Sequence, residues 1–318
     1  MSRFPAAGLA AVIPVLAFLL SCRTAPPPDV TAEYRLALVA EVGALSLQDL
    51  SAQGGTASCR VPGPAEARYL RFFDPAGALA ETGAGRFMGM AGSGPARIGV
   101  QCFVPRGDAG GTVFLFPGYL DHAGSFLPFV ARLLRAGFSV VAADLPGHGF
   151  SEGPRGEIAS FEDYGKTVDA AIGAVEAAGD GAKAAFPRPW IGMGHSTGAT
   201  AIFIHLQRRE ASGAASPFDR LVLIAPLVRS ARWRLSMIGL SLVSGAFRYL
   251  EPSSPHDPLL GSRVFPVSWA ERLRDWNEAV GGYRKVRGRG IIVQGGEDDV
   301  VDHEFNVPFL IEKIEGMR

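Results

Sequence analysis

Five short and nearly unbroken apolar runs constrain this chain more than any other feature. They are TVFLF (112–116), SVVAA (139–143), WIGM (190–193), LVLIA (221–225) and IIVQ (291–294). A strand with one wet face alternates apolar and polar residues, whereas a strand covered on both faces is apolar throughout. Between the runs, segments 126–135, 161–178 and 197–209 carry apolar residues at helical spacing. Alternating buried strands and helices predict an α/β fold, a mostly parallel sheet flanked by helices. The rhythm fails between Val228 and Arg289, a stretch of about sixty residues that is too long for a crossover loop. Its apolar residues, from Trp233 to Tyr249, and the turn SSPHDP predict an inserted, mostly helical cap over about 229–288. That places it at the C-terminal edge of the sheet, where open α/β sheets bind ligands. Upstream, 32–52 reads as one helix, and YLRFF (69–73) and RIGVQCFV (97–104) as half-buried, antiparallel strands.

Composition removes several functions. The 31 basic and 31 acidic side chains balance, which leaves no electrostatic footprint for nucleic acid. The three cysteines lack zinc spacing, and glycine pairs such as Gly83 and Gly85 follow no strand, so neither a metal nor a nucleotide cofactor is expected.

The N-terminus has its own character. Arg3 precedes an apolar run from Ala6 to Leu20, shorter than a membrane span and interrupted by Pro14, which describes a cleavable secretory signal. Its ending, LLSC (19–22), resembles a bacterial lipoprotein lipobox. That resemblance implies a lipid on Cys22, membrane attachment and a place in the bacterial cell envelope, periplasmic and lipid-anchored; a plain cleaved signal on a secreted protein and an uncleaved membrane anchor are the alternatives. Residues 23–31, with three consecutive prolines, then read as a stiff tether, and 32–318 as the folded domain. With Cys22 lipidated, Cys59 and Cys102 remain as an even pair in an oxidising compartment. A disulfide between them and two separate thiols are the alternatives.

Three motifs carry chemistry. GHSTG (194–198) follows a buried strand and opens a helical pattern, the setting in which G-x-S-x-G forms a nucleophile elbow. Ser196 is the expected nucleophile. His195, inside the turn, points away from the hydroxyl in such elbows and is not its base. Acyl transfer builds negative charge on a carbonyl oxygen, and a fixed N–H donor there contributes about 3–4 kcal/mol. The residue after the nucleophile, Thr197, supplies one donor. The loop FPGYLDH (116–122) supplies the other, with Tyr119 as the candidate. In QGGEDD (294–299), after the last apolar run, Asp298, Asp299 and Glu297 compete to be the acid that orients an imidazole.

Together with DLPGHGFS (144–151) and EGPRG (152–156), these motifs resemble the α/β-hydrolase superfamily from about Gly94 to the C-terminus. Within it they look like the serine aminopeptidase-like group that includes monoacylglycerol lipases and bacterial lysophospholipases. The resemblance implies an α/β-hydrolase fold, selects Asp298 as the acid and gives His148 a structural role. It implies ester hydrolysis by a serine, with a lipid or small ester as substrate. Non-catalytic lipid binding and aminopeptidase chemistry are the alternatives. Relatives usually begin the oxyanion loop with His-Gly, where this chain has Pro117-Gly118.

The triad histidine is the difficulty. Of the six histidines, His122 lies in the oxyanion loop, His205 in the helix after the elbow and His256 in the cap, while His303 opens the helix after the acid. A further helix, strand and two connections before a histidine loop need roughly 24 residues, and 20 follow Asp298. The expectation is therefore that the final strand and the triad histidine are absent from this sequence and that the sheet's C-terminal edge is incomplete. A fragment of an active enzyme is favoured over a pseudoenzyme because the other parts are intact.

Overall fold

The computed structural model describes residues 22–23, 29, 31–47, 61–92, 97–179, 184–250, 257, 259–261 and 265–318. Most of the N-terminal segment, including the apolar run, lies outside these, as do Cys59 and His256. Eight strands form the main sheet: β2 (Gly85–Ala91), β3 (Ile98–Val104), β4 (Thr112–Phe116), β5 (Ser139–Ala143), β6 (Trp190–His195), β7 (Arg220–Ile224), β10 (Val286–Val293) and β11 (Ile314–Met317). Their order is β11-β10-β7-β6-β4-β5-β3-β2. β3 is antiparallel to both β2 and β5, and every other pairing in the sheet is parallel.

The central runs are apolar because both faces are covered. Phe114 and Phe116 of β4 pack with Ile202 and Phe203 of helix α5 (Thr197–Ala211) and Val168 and Ala171 of α4 (Tyr164–Glu176). Val113 and Leu115 face the other way, among Leu38 of α1 (Ala32–Val42), Tyr69 of α2 (Pro64–Phe73) and Leu127 and Val130 of α3 (Leu127–Arg135). β10 departs from that pattern. Its residues alternate in burial, leaving Ile291 40% and Val293 48% exposed, so this apolar run is covered on one face only.

Three expectations are corrected. YLRFF is the end of helix α2, which starts at Pro64 and carries Glu66 in its first turn. Proline at the first helical position and an acid beside it favour a helix start, and five residues are too few for alternation to decide. Helix α1 stops at Val42 because Gly43 takes φ 63°, and Ala44 then bridges Met90. The final strand is present. Helix α8 (His303–Lys313) runs directly into β11, so the connection counted between them does not exist. β11 pairs with β10, and Ile292 N–H donates to the Arg318 carbonyl.

The insertion between β7 and β10 holds α6 (Trp233–Val243), β8 (Tyr249–Leu250), β9 (Phe265–Pro266) and α7 (Val267–Val280). Leu240, Val243 and Val267 form a small core of their own. β8 lies between β9 and β1 (Cys22–Arg23), antiparallel to both. The root of the insertion is fastened by Asn306 of α8, a fully buried amide. It donates to the carbonyls of Pro226 and Arg229 and accepts from the Arg229 N–H.

Candidate active site

β6 delivers the chain to Ser196, which adopts φ 50° and ψ −115° and is half-buried. A non-glycine residue in that region costs about 1–3 kcal/mol, and the cost is met by surrounding structure. Here the Ser196 N–H donates to the Ile224 carbonyl at 2.9 Å, and its own carbonyl accepts from Ala199 at 3.0 Å and Leu227 at 3.3 Å. The flanking glycines are required by space. A Cβ on Gly198 would stand 1.9 Å from the Phe116 carbonyl oxygen, and one on Gly194 would stand 2.5 Å from the Ala199 nitrogen.

The loop after β4 lies directly against this turn. A Cβ on Gly118 would come within 3.2 Å of Ser196 Cβ and 3.0 Å of His195 Nδ1. Tyr119 turns its side chain toward the insertion: its hydroxyl donates to the Gly156 carbonyl at 2.8 Å, and its ring stacks on Trp269 at 3.9 Å. Leu120 next to it has φ 61°. Among the described residues, neither the Tyr119 N–H nor the Thr197 N–H donates to a protein acceptor. Thr197 opens α5, whose first N–H groups have no partner within the helix. Two unused backbone donors beside a strained serine form an arrangement that can hold an oxyanion.

Of the three acids after β10, Glu297 and Asp299 are exposed. Asp298 is half-buried and engaged: Oδ1 accepts from the Val300 and Val301 N–H groups at 2.9 and 3.0 Å, and Oδ2 from Gln294 Nε2 at 2.8 Å. Burial raises its pKa, but the Val301 and Val300 N–H groups, the Gln294 amide and the nearby His303 outweigh that and hold it below the usual carboxylate value. β10 is separated from β6 by β7 alone, roughly 10 Å at ordinary strand spacing. That gap suits an interposed imidazole.

Among the described residues, no histidine hydrogen-bonds Ser196 or Asp298. His148 donates Nδ1–H to the Pro146 carbonyl at 2.8 Å, and burial pushes its pKa down to about 3, so it is neutral and structural. His205 is buried and paired with Asp169 of α4 at 2.8 Å. His195 is half-buried with Nδ1 unpartnered. His122 Nδ1 accepts from the Gly124 N–H, so Nε2 carries the proton and donates to Asp257 of the insertion at 2.6 Å. Asp257 and Arg155, which bonds the carbonyls of Gly149 and Leu260, were not legible in the sequence. They join segments about a hundred residues apart and follow no local pattern. Cys102 is a free and fully buried thiol in β3, raised in pKa by that burial. Its pairing with Cys59 lies outside the described residues, and the Cys22 side chain is likewise not described. Among the described residues no cluster of side chains could hold a metal ion, and no helix is long and apolar enough to cross a membrane.

A monoacylglycerol lipase of Mycolicibacterium smegmatis is 33% identical over 142 residues, which is 44% of this chain and 46% of that protein. The chain thus aligns with less than half the length of that relative. Two solved structures share the fold. One is a soluble variant of the monoglyceride lipase of Saccharomyces cerevisiae (TM-score 0.51, 16% identity, 72% of this chain and 84% of that one). The other is the α/β hydrolase GrgF of a Penicillium species (TM-score 0.52, 15% identity, 74% and 87%). The model of the family described as "Serine aminopeptidase, S33" matches residues 107–312, a span containing the elbow, the oxyanion loop, the insertion and the acid. This chain is an α/β hydrolase of the serine aminopeptidase S33 family.

Proposed function

We propose that the protein is a serine hydrolase of carboxylic esters, lipase-like in its preference for an acyl chain. The observation that carries this reading is the strained Ser196, with the unused N–H groups of Thr197 and Tyr119 beside it. Ser196 Oγ attacks the ester carbonyl, and the two N–H groups hold the negative oxygen that forms. Asp298, kept ionised by its hydrogen bonds, orients the imidazole that takes the serine proton. No described histidine occupies the position of that base. The apolar insertion and the monoacylglycerol lipase relative support an acyl substrate over a peptide. The same missing contact, together with the Gln294 amide seated on Asp298, favours a second reading, a lipid-binding protein on a hydrolase scaffold.

The test is labelling of the protein by a fluorophosphonate, with hydrolysis of a short-chain nitrophenyl ester followed with and without added imidazole. The first reading expects label on Ser196, none in Ser196→Ala, and turnover stimulated by imidazole if the base lies outside this chain. Absence of label under all these conditions sinks the catalytic assignment in favour of the second reading. The lipid on Cys22 and the envelope location belong to the same proposal. Mass spectrometry of the mature protein decides the lipid.

A further inference from the structure

Helix α6 of the insertion presents an apolar face to solvent. Leu235, Ile238 and Leu242 are 65%, 58% and 75% exposed. At 100° per residue they fall within an arc of about 60°. The opposite side of the helix is already used, since Leu240 and Val243 pack on Val267. Single exposed apolar residues are ordinary, but an aligned stripe with a charged border marks a contact surface.

The segment that carries the stripe has one sign. From Arg220 to Leu250 the chain carries five arginines (220, 229, 232, 234 and 248) and no acid or lysine, in a protein whose charges otherwise balance. Arg232 and Arg234 flank the stripe by helical spacing, Arg248 follows the helix in sequence, and all three are exposed. A surface helix with an apolar stripe and a cationic border fits an anionic bilayer, where buried area and charge attraction add. A second observation points to the same place. β1, two residues after the apolar run that ends at Leu20, pairs with β8, the strand that follows α6 and packs Leu250 on its core. Any attachment made through the N-terminal segment therefore meets the fold beside α6.

We propose that α6 docks the protein on an anionic lipid surface, with Leu235, Ile238 and Leu242 entering the interface and Arg232, Arg234 and Arg248 on the headgroups. This holds whether or not Ser196 is catalytic. The experiment places an environment-sensitive fluorophore on the full chain carrying Cys22→Ser, Cys59→Ser and Leu242→Cys. A second protein carries it at Ser212→Cys, exposed beyond the far end of α5. Cys102 is buried and stays unlabelled. With vesicles of phosphatidylglycerol and phosphatidylethanolamine, the position-242 label should shift to the blue and be quenched by brominated acyl chains. The position-212 label should do neither. Adding Arg232→Gln, Arg234→Gln and Arg248→Gln should abolish most of that quenching on anionic vesicles. A position-242 label that stays in water while the protein sediments with vesicles overturns the proposal. So does equal quenching at 212, or a blue shift without lipid that grows with protein concentration and marks a second copy. Leu235→Cys repeats the measurement should the Leu242 variant not fold.

Discussion

The elbow and the insertion lie next to each other and are held in opposite ways. Around Ser196, backbone approaches backbone: Gly194, Gly198 and Gly118 each sit where a methyl group would strike a neighbouring strand, turn or loop. In α6, Gly239 has nothing within 4 Å of the place a Cβ would occupy, and the helix buries only part of its apolar side. The centre can keep a strained residue because every path of relaxation is blocked. Helix α6 rests on a small separate core of Leu240, Val243 and Val267, whereas α7 reaches the main core with Trp269, Leu273 and Trp276. The insertion meets the centre through Tyr119 on Trp269 and His122 on Asp257. A helix held as α6 is can change shape or composition without disturbing the reacting atoms.

The contrast can be broken by substitution. Gly198→Ala should be the most damaging change, because its Cβ would overlap the Phe116 carbonyl and force α5 off β4. A loss above about 3 kcal/mol is expected, read as thermal unfolding well below that of the parent protein. A melting temperature within two or three degrees of the parent would show that the elbow relaxes freely. Next comes the pH dependence that the buried centre imposes. His148 has a folded pKa of about 3 against an ordinary 6.5, so between those values the unfolded chain binds a proton that the folded one refuses. Stability therefore falls as pH drops from about 6.5 toward 3, by up to about 1.4 kcal/mol per pH unit. His148→Gln should flatten the slope of melting temperature against pH by a corresponding amount. An unchanged slope would mean that His148 charges in place. Smallest is Gly239→Ala. It should raise stability by about 0.5–1 kcal/mol, since the helix gains propensity and nothing is displaced. A decrease there would reveal packing on α6 that the structure does not contain.

Those outcomes bear on how far the sequence could be read. The centre was legible because its physics is local: unbroken apolar runs mean strands covered on both faces, and glycines around a serine mean a tight turn between strand and helix. Asp298 could be ranked above its neighbours only through resemblance. Its hydrogen bonds to Gln294, Val300 and Val301 show what separates it from Asp299, and that information sits in the turn's three-dimensional path. Helix α2 was misread because five alternating residues fit either period. The closing strand escapes a count based on average loop lengths because α8 and β11 share no loop. His122–Asp257 and Arg155–Leu260 link distant segments, and single-sequence patterns carry no signal for such pairs.

The fastening of the insertion has a further consequence. Its first residues are bonded to Asn306, and Ser230 bridges Val301, so its near end is tied to the stretch that follows Asp298. Leu227, between the Pro226 and Arg229 carbonyls that Asn306 holds, donates its N–H to the Ser196 carbonyl. The nucleophile and the acid are thus moored to the same short piece of chain, 227–231, through main-chain and amide bonds. Lengthening or exchanging the insertion beyond residue 231 would leave that mooring untouched, while adding one residue inside it would shift serine and carboxylate relative to each other. Diversity in a lineage of such proteins should therefore accumulate after Ala231 and stop short before it.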